Sequence, residues 1–194
     1  MFKIIVKYRF LFVIFCIVII LFIYIFMKGN FEMKNVKKEK FNFVVTSSAF
    51  DNDYILSKYT ADGEDISIPL KFENIGCNGK TIAIIMDDPD APSTNPFVHW
   101  LIWNIPTTIT EIPENISTSA KVESLNGAIQ GKNDFGKFGY KGPNPPSGIH
   151  NYRINVYVLD IYLNLDSNAS RNDLENNMQD HIIESSLLEG KYTH

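Results

Sequence analysis

The 194-residue sequence predicts a mostly β domain of two packed sheets with one C-terminal α-helix, preceded by one N-terminal transmembrane helix. Three observations predict it. Residues 10–27 are all apolar, with no charge, Gly or Pro among them. Two nearly continuous apolar segments, Thr81-Ile82-Ala83-Ile84-Ile85-Met86 and Phe97-Val98-His99-Trp100-Leu101-Ile102-Trp103, are short and rich in β-branched and aromatic residues. That composition favours strands buried on both faces over helices. Helical signals appear only near the end, from Ser170 onward.

The apolar run is 18 residues long, so as a helix it spans roughly 27 Å, close to the ~30 Å hydrocarbon core of a bilayer. Lys7, Arg9 and Lys28 flank it and can reach the headgroups from its ends. A cleaved signal peptide has a shorter apolar core followed by a small-x-small site. The run instead ends in Phe26-Met27-Lys28-Gly29-Asn30, which offers no such site, and it reads as an uncleaved signal-anchor. The division that follows is a basic tail at 1–9, the anchor at 10–27, a lysine-rich juxtamembrane linker at 28–40 and a domain at 41–194. Basic residues stand on both sides of the span, so the positive-inside rule pulls both ways. A short basic tail before a single span favours keeping the tail inside and exporting the domain, to the periplasmic or extracellular side of a bacterium.

Of the 18 basic and 22 acidic residues, the first forty positions hold eight and two, leaving the domain at about −10. Such a surface repels phosphate backbones and argues against nucleic-acid binding. Cys16 lies in the apolar run and Cys77 is alone in the domain, so no intrachain disulfide staples the fold.

Within the domain, Phe41, Phe43 and Val45 alternate with polar residues and begin the strand pattern. Ala61-Asp62-Gly63 and Asn78-Gly79 are turn signals, and Ile154, Val156 and Val158 give a further alternating strand. Between 107 and 148 Gly, Pro, Asn and Ser replace periodicity, as in a functional loop or a region of short elements. Ser170 with Asp173 forms a capping box, and Leu174, Met178 and Ile182 recur at i, i+4. Gly190 supplies a stop.

Three patches concentrate reactive or unusual residues. Asp87-Asp88-Pro89-Asp90-Ala91-Pro92 follows a buried strand directly, and its three carboxylates repel one another unless donors or cations converge on them. His99 lies inside an apolar strand, where period-2 geometry sets it on the face of Phe97, Leu101 and Trp103. The segment from Gly139 to Tyr152 combines glycines, which admit close backbone approach, with prolines that build a stiff wall lacking donors. With a strand starting by His150, the side chains of His150, Tyr152 and Ile154 share one face. Taken singly, the plain alternatives are a solvated acidic turn, a core histidine with a satisfied hydrogen bond and a stiff surface loop.

Together, in order and spacing, Asp88-Pro89-Asp90-Ala91-Pro92, His99-Trp100 with Asn104, and the stretch from Gly142 to Tyr152 resemble the signatures of the phosphatidylethanolamine-binding protein (PEBP) family. Gln130-Gly131-Lys132-Asn133-Asp134-Phe135-Gly136 before Gly139-Tyr140 resembles its bacterial Raf-kinase-inhibitor-like branch, as does the ending, with His181-Ile182 on the helix and Leu188, Gly190 and Tyr192 after it. The resemblance implies a PEBP-like fold of two packed antiparallel sheets. It also implies an anion pocket lined by Asp88, Asp90, His99, Gly142, Pro145, Pro146, His150 and Tyr152, and a cis Ala91–Pro92 bond. It implies no metal and no cofactor. The chain departs from the branch at Asn144, where a Cys is frequent, and from eukaryotic members in its shorter loop before His150 and in its ending.

Two imidazoles, a hydroxyl and the few amides that the prolines leave make a receptor for a small anionic or phosphorylated ligand, with each imidazole expected to donate. A binding module with a recognition or regulatory role is the first expectation, in contact with the membrane through its helix. An inhibitor of a protease or kinase that docks through pocket-flanking loops, and so has a protein partner, is the second. A hydrolytic enzyme is the third, and the sequence lacks G-x-S-x-G, H-E-x-x-H and C-x-x-C. The expectation is therefore a non-catalytic protein.

Overall fold

The computed structural model describes residues 42–194 together with Ile19 and Leu21. The regular structure of the domain is mostly strand, in two sheets. The smaller sheet has the order β1 (Val44–Thr46), β4 (Leu70–Glu73), β7 (Glu111–Ile112). The larger has eight strands. At its centre stand β11 (Ile182–Tyr192), β10 (His150–Leu159), β5 (Thr81–Asp88) and β6 (Phe97–Pro106), in that order and antiparallel. Short strands extend both edges: β2 (Phe50–Asp51) and β3 (Tyr54–Ile55) beyond β11, and β9 (Ala128–Gln130) and β8 (Lys121–Val122) beyond β6. One contact departs from the expected antiparallel order, since β3 meets β11 in parallel through Tyr54 and Lys191.

Every residue of β5 is buried, because both faces of the large sheet are covered. On one face Ile82, Ile84 and Met86 pack with Trp100, Ile102 and Tyr152 and with Phe43, Val45 and Phe72 of the small sheet region. On the other, Ala83 and Ile85 pack with Leu101, Trp103, Leu174 and Met178. The continuous apolar runs at 81–86 and 97–103 are thus double-sided core strands, as their composition predicts. Between residues 107 and 148 the structure holds only short elements, including a single 3-10 turn at Glu123–Leu125.

The period-2 reading of β6 fails at His99. Trp100 pairs with Met86 and Val98 with Asp87, so His99 is an extra residue opposite no partner, a β-bulge. The bulge keeps His99 beside Phe97 but sends Leu101 and Trp103 to the opposite face with Val98. A second register shift near Asn104, which has φ +61, turns its side chain onto the backbone of Leu163 in both directions.

The C-terminal helix is corrected. Helix α1 spans Arg171–Met178, with the predicted capping box of Ser170 and Asp173 in place and Leu174 and Met178 buried. It ends four residues before Ile182, and the chain finishes as the 11-residue strand β11. His181 sits in the turn between them, its N–H on the Met178 carbonyl at 2.8 Å, and Ile182 begins the strand. The physical reason is the open edge of β10, whose backbone groups require a partner along the whole strand. Gly190 therefore stops no helix. It lies in β11, where a Cβ would stand 2.1 Å from the Phe50 ring.

Asp87 ties α1 to the sheet. Fully buried, it accepts from Arg153 Nε at 2.7 Å and Nη2 at 2.9 Å. Arg171 Nη1 lies 2.8 Å from its Oδ2, an ion pair misaligned for a hydrogen bond. Apart from Ile19 and Leu21, the predicted membrane segment at 10–27 lies outside the described residues; among those described, no helix is long and apolar enough to cross a membrane.

Leaving a buried carboxylate unpaired is expected to lose about 3–5 kcal/mol. Replacing Arg153 and Arg171 together by Met should therefore destabilise the domain by about that much, while each single change should lose less than half, because the other guanidinium still neutralises Asp87. Urea unfolding of the three variants tests this, and strictly additive losses would show that the two arginines do not share the charge.

Candidate functional site

The bulge, the acidic turn and the proline loop meet at one end of the large sheet around a cavity of about 280 Å³. Its wall comprises Asp88, Ala91, Pro92, Ser93, Phe97, His99, Phe135, Asn144 and Pro146. No lysine or arginine belongs to it.

Asp88 is the last residue of β5 and is buried. Its Oδ2 is 2.7 Å from His150 Nδ1, and its Oδ1 accepts from the Asp90 N–H at 2.9 Å. His150 opens β10 and stands behind Asp88, with Tyr152 on the same strand face as predicted. Asp90 points away from the cavity wall and accepts from the backbone and the side chain of Asn151 at 2.8 and 2.7 Å, which together hold its carboxyl below the usual carboxylate range. The three carboxylates of the turn are thereby separated, each with its own donors. The Ala91–Pro92 bond is trans, contrary to the expected cis form. The short Asp88–Asp90 hydrogen bond and the Asp90–Asn151 contacts close the turn with the peptide geometry that X–Pro bonds ordinarily favour.

His99 is buried, and its Nδ1 stands 2.7 Å from the Lys141 carbonyl. Burial pushes its pKa down from the ordinary 6.5, opposed by the Lys141 and Gly142 backbone and by the charges of Asp88 and Asp134. A neutral ring that donates from Nδ1 to a carbonyl carries its lone pair on Nε2. At neutral pH His99 thus presents an acceptor and not the expected donor. Tyr152 packs edge-on to His99 at 5.2 Å, and its hydroxyl is buried without a hydrogen-bond partner. That hydroxyl faces Asp88 and the Asn144 backbone, and burial, with the Asp88 charge, pushes its pKa well up.

The proline loop alternates. Gly142, Pro143 and Pro145 turn inward, and Asn144 and Pro146 face the cavity. Gly142 serves the frame: its N–H is spent on Asp65 Oδ1 at 2.8 Å, and a Cβ there would stand 2.5 Å from the Tyr59 carbonyl oxygen. Of the residues expected at the site, Asp88, His99 and Pro146 line the cavity, as do Ala91 and Pro92. His150 and Tyr152 lie behind that wall, while Asp90, Gly142 and Pro145 hold the loops in place. Ser93, Phe97, Phe135 and Asn144 were not expected in the wall. Phe97 shares the His99 face by simple alternation, and Phe135 lies within a motif already notable in the sequence. Asn144 lies in the proline loop, where it stands out as a departure from the family branch, and Ser93 carries no such signal. Among the described residues no group of three or more His, Cys, Asp or Glu side chains is arranged to hold a metal ion.

Because folded His99 takes up a proton less readily than the unfolded chain, its contribution to stability is complete above about pH 6.5 and declines as the pH falls towards its lower folded value. Between pH 7.5 and 5, wild type should lose more stability than His99→Gln, measured as the difference in their unfolding curves. The other histidines are common to both proteins, so identical pH dependence would contradict a buried neutral His99.

The chain is similar to known proteins. The model of the family described as phosphatidylethanolamine-binding protein matches residues 46–193. UPF0098 protein PH1269 of Pyrococcus horikoshii is 47% identical over 157 residues, covering 80% of this chain and 78% of its own. A UPF0098 protein of Aquifex aeolicus is 40% identical over 152 residues, 76% of this chain and 86% of its own. Among solved structures, a putative PEBP homolog from Chlamydia trachomatis, CT736, superposes with a TM-score of 0.71 at 30% identity, covering 79% of this chain and 98% of its own. E. coli YbcL, described as a new member of the mammalian PEBP family, gives 0.70 at 28% identity, with 79% and 99% covered. The chain belongs to the phosphatidylethanolamine-binding protein family.

Proposed function

We propose that the domain is a non-catalytic receptor for a small anionic or phosphorylated ligand, held at a membrane by residues 10–27 and exported from the cytoplasm. The observation that carries the reading is the Tyr152 hydroxyl, buried behind the cavity wall against Asp88 and the Asn144 backbone and making no well-formed hydrogen bond to either. An orphan buried donor is costly unless something else satisfies it, and a ligand oxygen fits that need. Asp88 and the lone pair of His99 Nε2 are acceptors, so the favoured ligand brings a proton of its own. A monoanionic phosphate monoester has both a P–OH to donate and P–O oxygens to accept, and it becomes abundant below its second pKa of about 6. Ala91, Pro92, Phe97, Phe135 and Pro146 supply apolar wall for the remainder of the ligand. Without a lysine or arginine in the wall, binding is weak and shape-selective.

Thermal unfolding of the full-length chain in detergent at pH 6, with and without millimolar phosphoethanolamine, tests this. Ligand at 100 times Kd adds about 2.7 kcal/mol and raises the melting temperature of wild type. Tyr152→Phe should unfold at the wild-type temperature or slightly above when free, since an unsatisfied group is gone. It should also bind at least about tenfold more weakly, the effect of one hydrogen bond to a charged group. At pH 7.5 the wild-type shift should shrink. No shift in wild type, or an undiminished shift in the variant, overturns the reading.

A further inference from the structure

The domain carries ten basic side chains against twenty acidic ones, and six of the ten sit in ion pairs. Of the four without an ion pair among the described residues, two, Lys132 and Lys137, flank Phe135 at the mouth of the cavity. All three side chains are exposed, and Phe135 keeps 40% of its surface in water.

This exposure is enforced by the loop. Asn133 is buried, and its Oδ1 accepts from the N–H groups of Phe135 and Lys137 at 3.1 and 3.2 Å. Asp134 is clamped to the start of β6 from both sides, its Oδ2 accepting from the Val98 N–H at 2.7 Å and its own N–H donating to the Val98 carbonyl at 3.0 Å. Lys132 and Phe138 close the loop as a β-bridge. A rigid turn thus presents an aromatic ring between two cations, with the exposed Asp134 carboxylate tied back to the start of β6, on a domain whose net charge is acidic.

From this we infer that the 132–137 loop docks on an anionic lipid bilayer, with Phe135 in the headgroup region and Lys132 and Lys137 on lipid phosphates, so that the cavity mouth faces the membrane. The inference rests on the membrane tether proposed above. Aromatic rings settle at the lipid–water interface, and lysines near an anionic leaflet are drawn to its phosphates. Two lysines and one ring cannot hold a free protein there. A 13-residue linker at 28–40 can reach at most about 45 Å, and keeps the loop at high effective concentration beside the bilayer. The acidic remainder of the surface is repelled by the same lipids, which orients the contact.

The test uses the full-length chain in bilayers whose acyl chains are brominated, with Phe135→Trp as a depth probe. Trp100 and Trp103 are completely buried and give a constant background. Tyr162→Trp is the control: Tyr162 is 57% exposed and lies past Leu159, at the end of β10 away from His150. In bilayers containing phosphatidylglycerol, Phe135→Trp emission should shift to the blue and be quenched. Quenching should weaken in phosphatidylcholine alone and vanish when Lys132→Gln and Lys137→Gln are added, while Tyr162→Trp stays unquenched. An unquenched Phe135→Trp variant in anionic bilayers, or equal quenching of the control, overturns the docking and leaves an acidic protein as the partner to seek. Flotation of the same bilayers in high salt reads the tether separately, and a chain that fails to float overturns tether and docking together. Ligand binding to the cavity is read separately, by thermal unfolding of the chain with Phe135 in place.

Discussion

The end of β5 has to accommodate three carboxylates within four residues, and the architecture around it answers that repulsion. Asp87 turns to one face of the sheet and takes two guanidinium groups, one from β10 and one from α1. Asp88 turns to the other and takes His150 and a backbone N–H. Asp90 leaves the strand and takes Asn151. The arrangement fixes the register of β10 against β5, attaches the helix to the sheet, and leaves Asp88 at a cavity whose wall has no lysine or arginine. Structural and site chemistry therefore share one strand end.

That sharing limits what the cavity can accept. A dianion meets Asp88 with no lysine or arginine to offset it, and a neutral His99 offers a lone pair where a donor would be needed. A group that carries a proton as well as charge suits both acceptors and the Tyr152 hydroxyl. The buried bulge at His99 is what makes this possible. Without the extra residue, the imidazole would have to share a face with Leu101 and Trp103 under α1.

Much of this was legible from residue patterns. The double-sided burial of β5 and β6 follows from their uninterrupted apolar runs, and the shared face of His150, Tyr152 and Ile154 follows from alternation alone. The capping box at Ser170 was equally plain. What failed had physical causes that lie outside local pattern. Ile182 continues the i, i+4 spacing of Leu174 and Met178, yet the unpaired edge of β10 claims it for a strand. Leu188, Gly190 and Tyr192 do alternate, which was the available signal for β11. A β-bulge leaves no trace in alternation until the partner strand is known, so the side on which Leu101 and Trp103 fall was unreadable. Gly142 was read as a point of ligand approach, and only the position of Tyr59 shows that it serves loop contact instead.

The central claim is that Asp88, neutral His99 and the unpartnered Tyr152 hydroxyl form one receiving site. Nitrogen–proton correlation spectra of the histidine-labelled protein, recorded through a phosphoethanolamine titration, address it most directly. At neutral pH without ligand, the account predicts a His99 ring protonated on Nδ1 alone. As ligand saturates, its Nε2 resonance should move as that nitrogen accepts a hydrogen bond from the phosphate P–OH, while His181, remote on the turn before β11, stays fixed. A doubly protonated His99 in the free protein, or a His99 ring that ignores a ligand bound at saturation, would contradict the account.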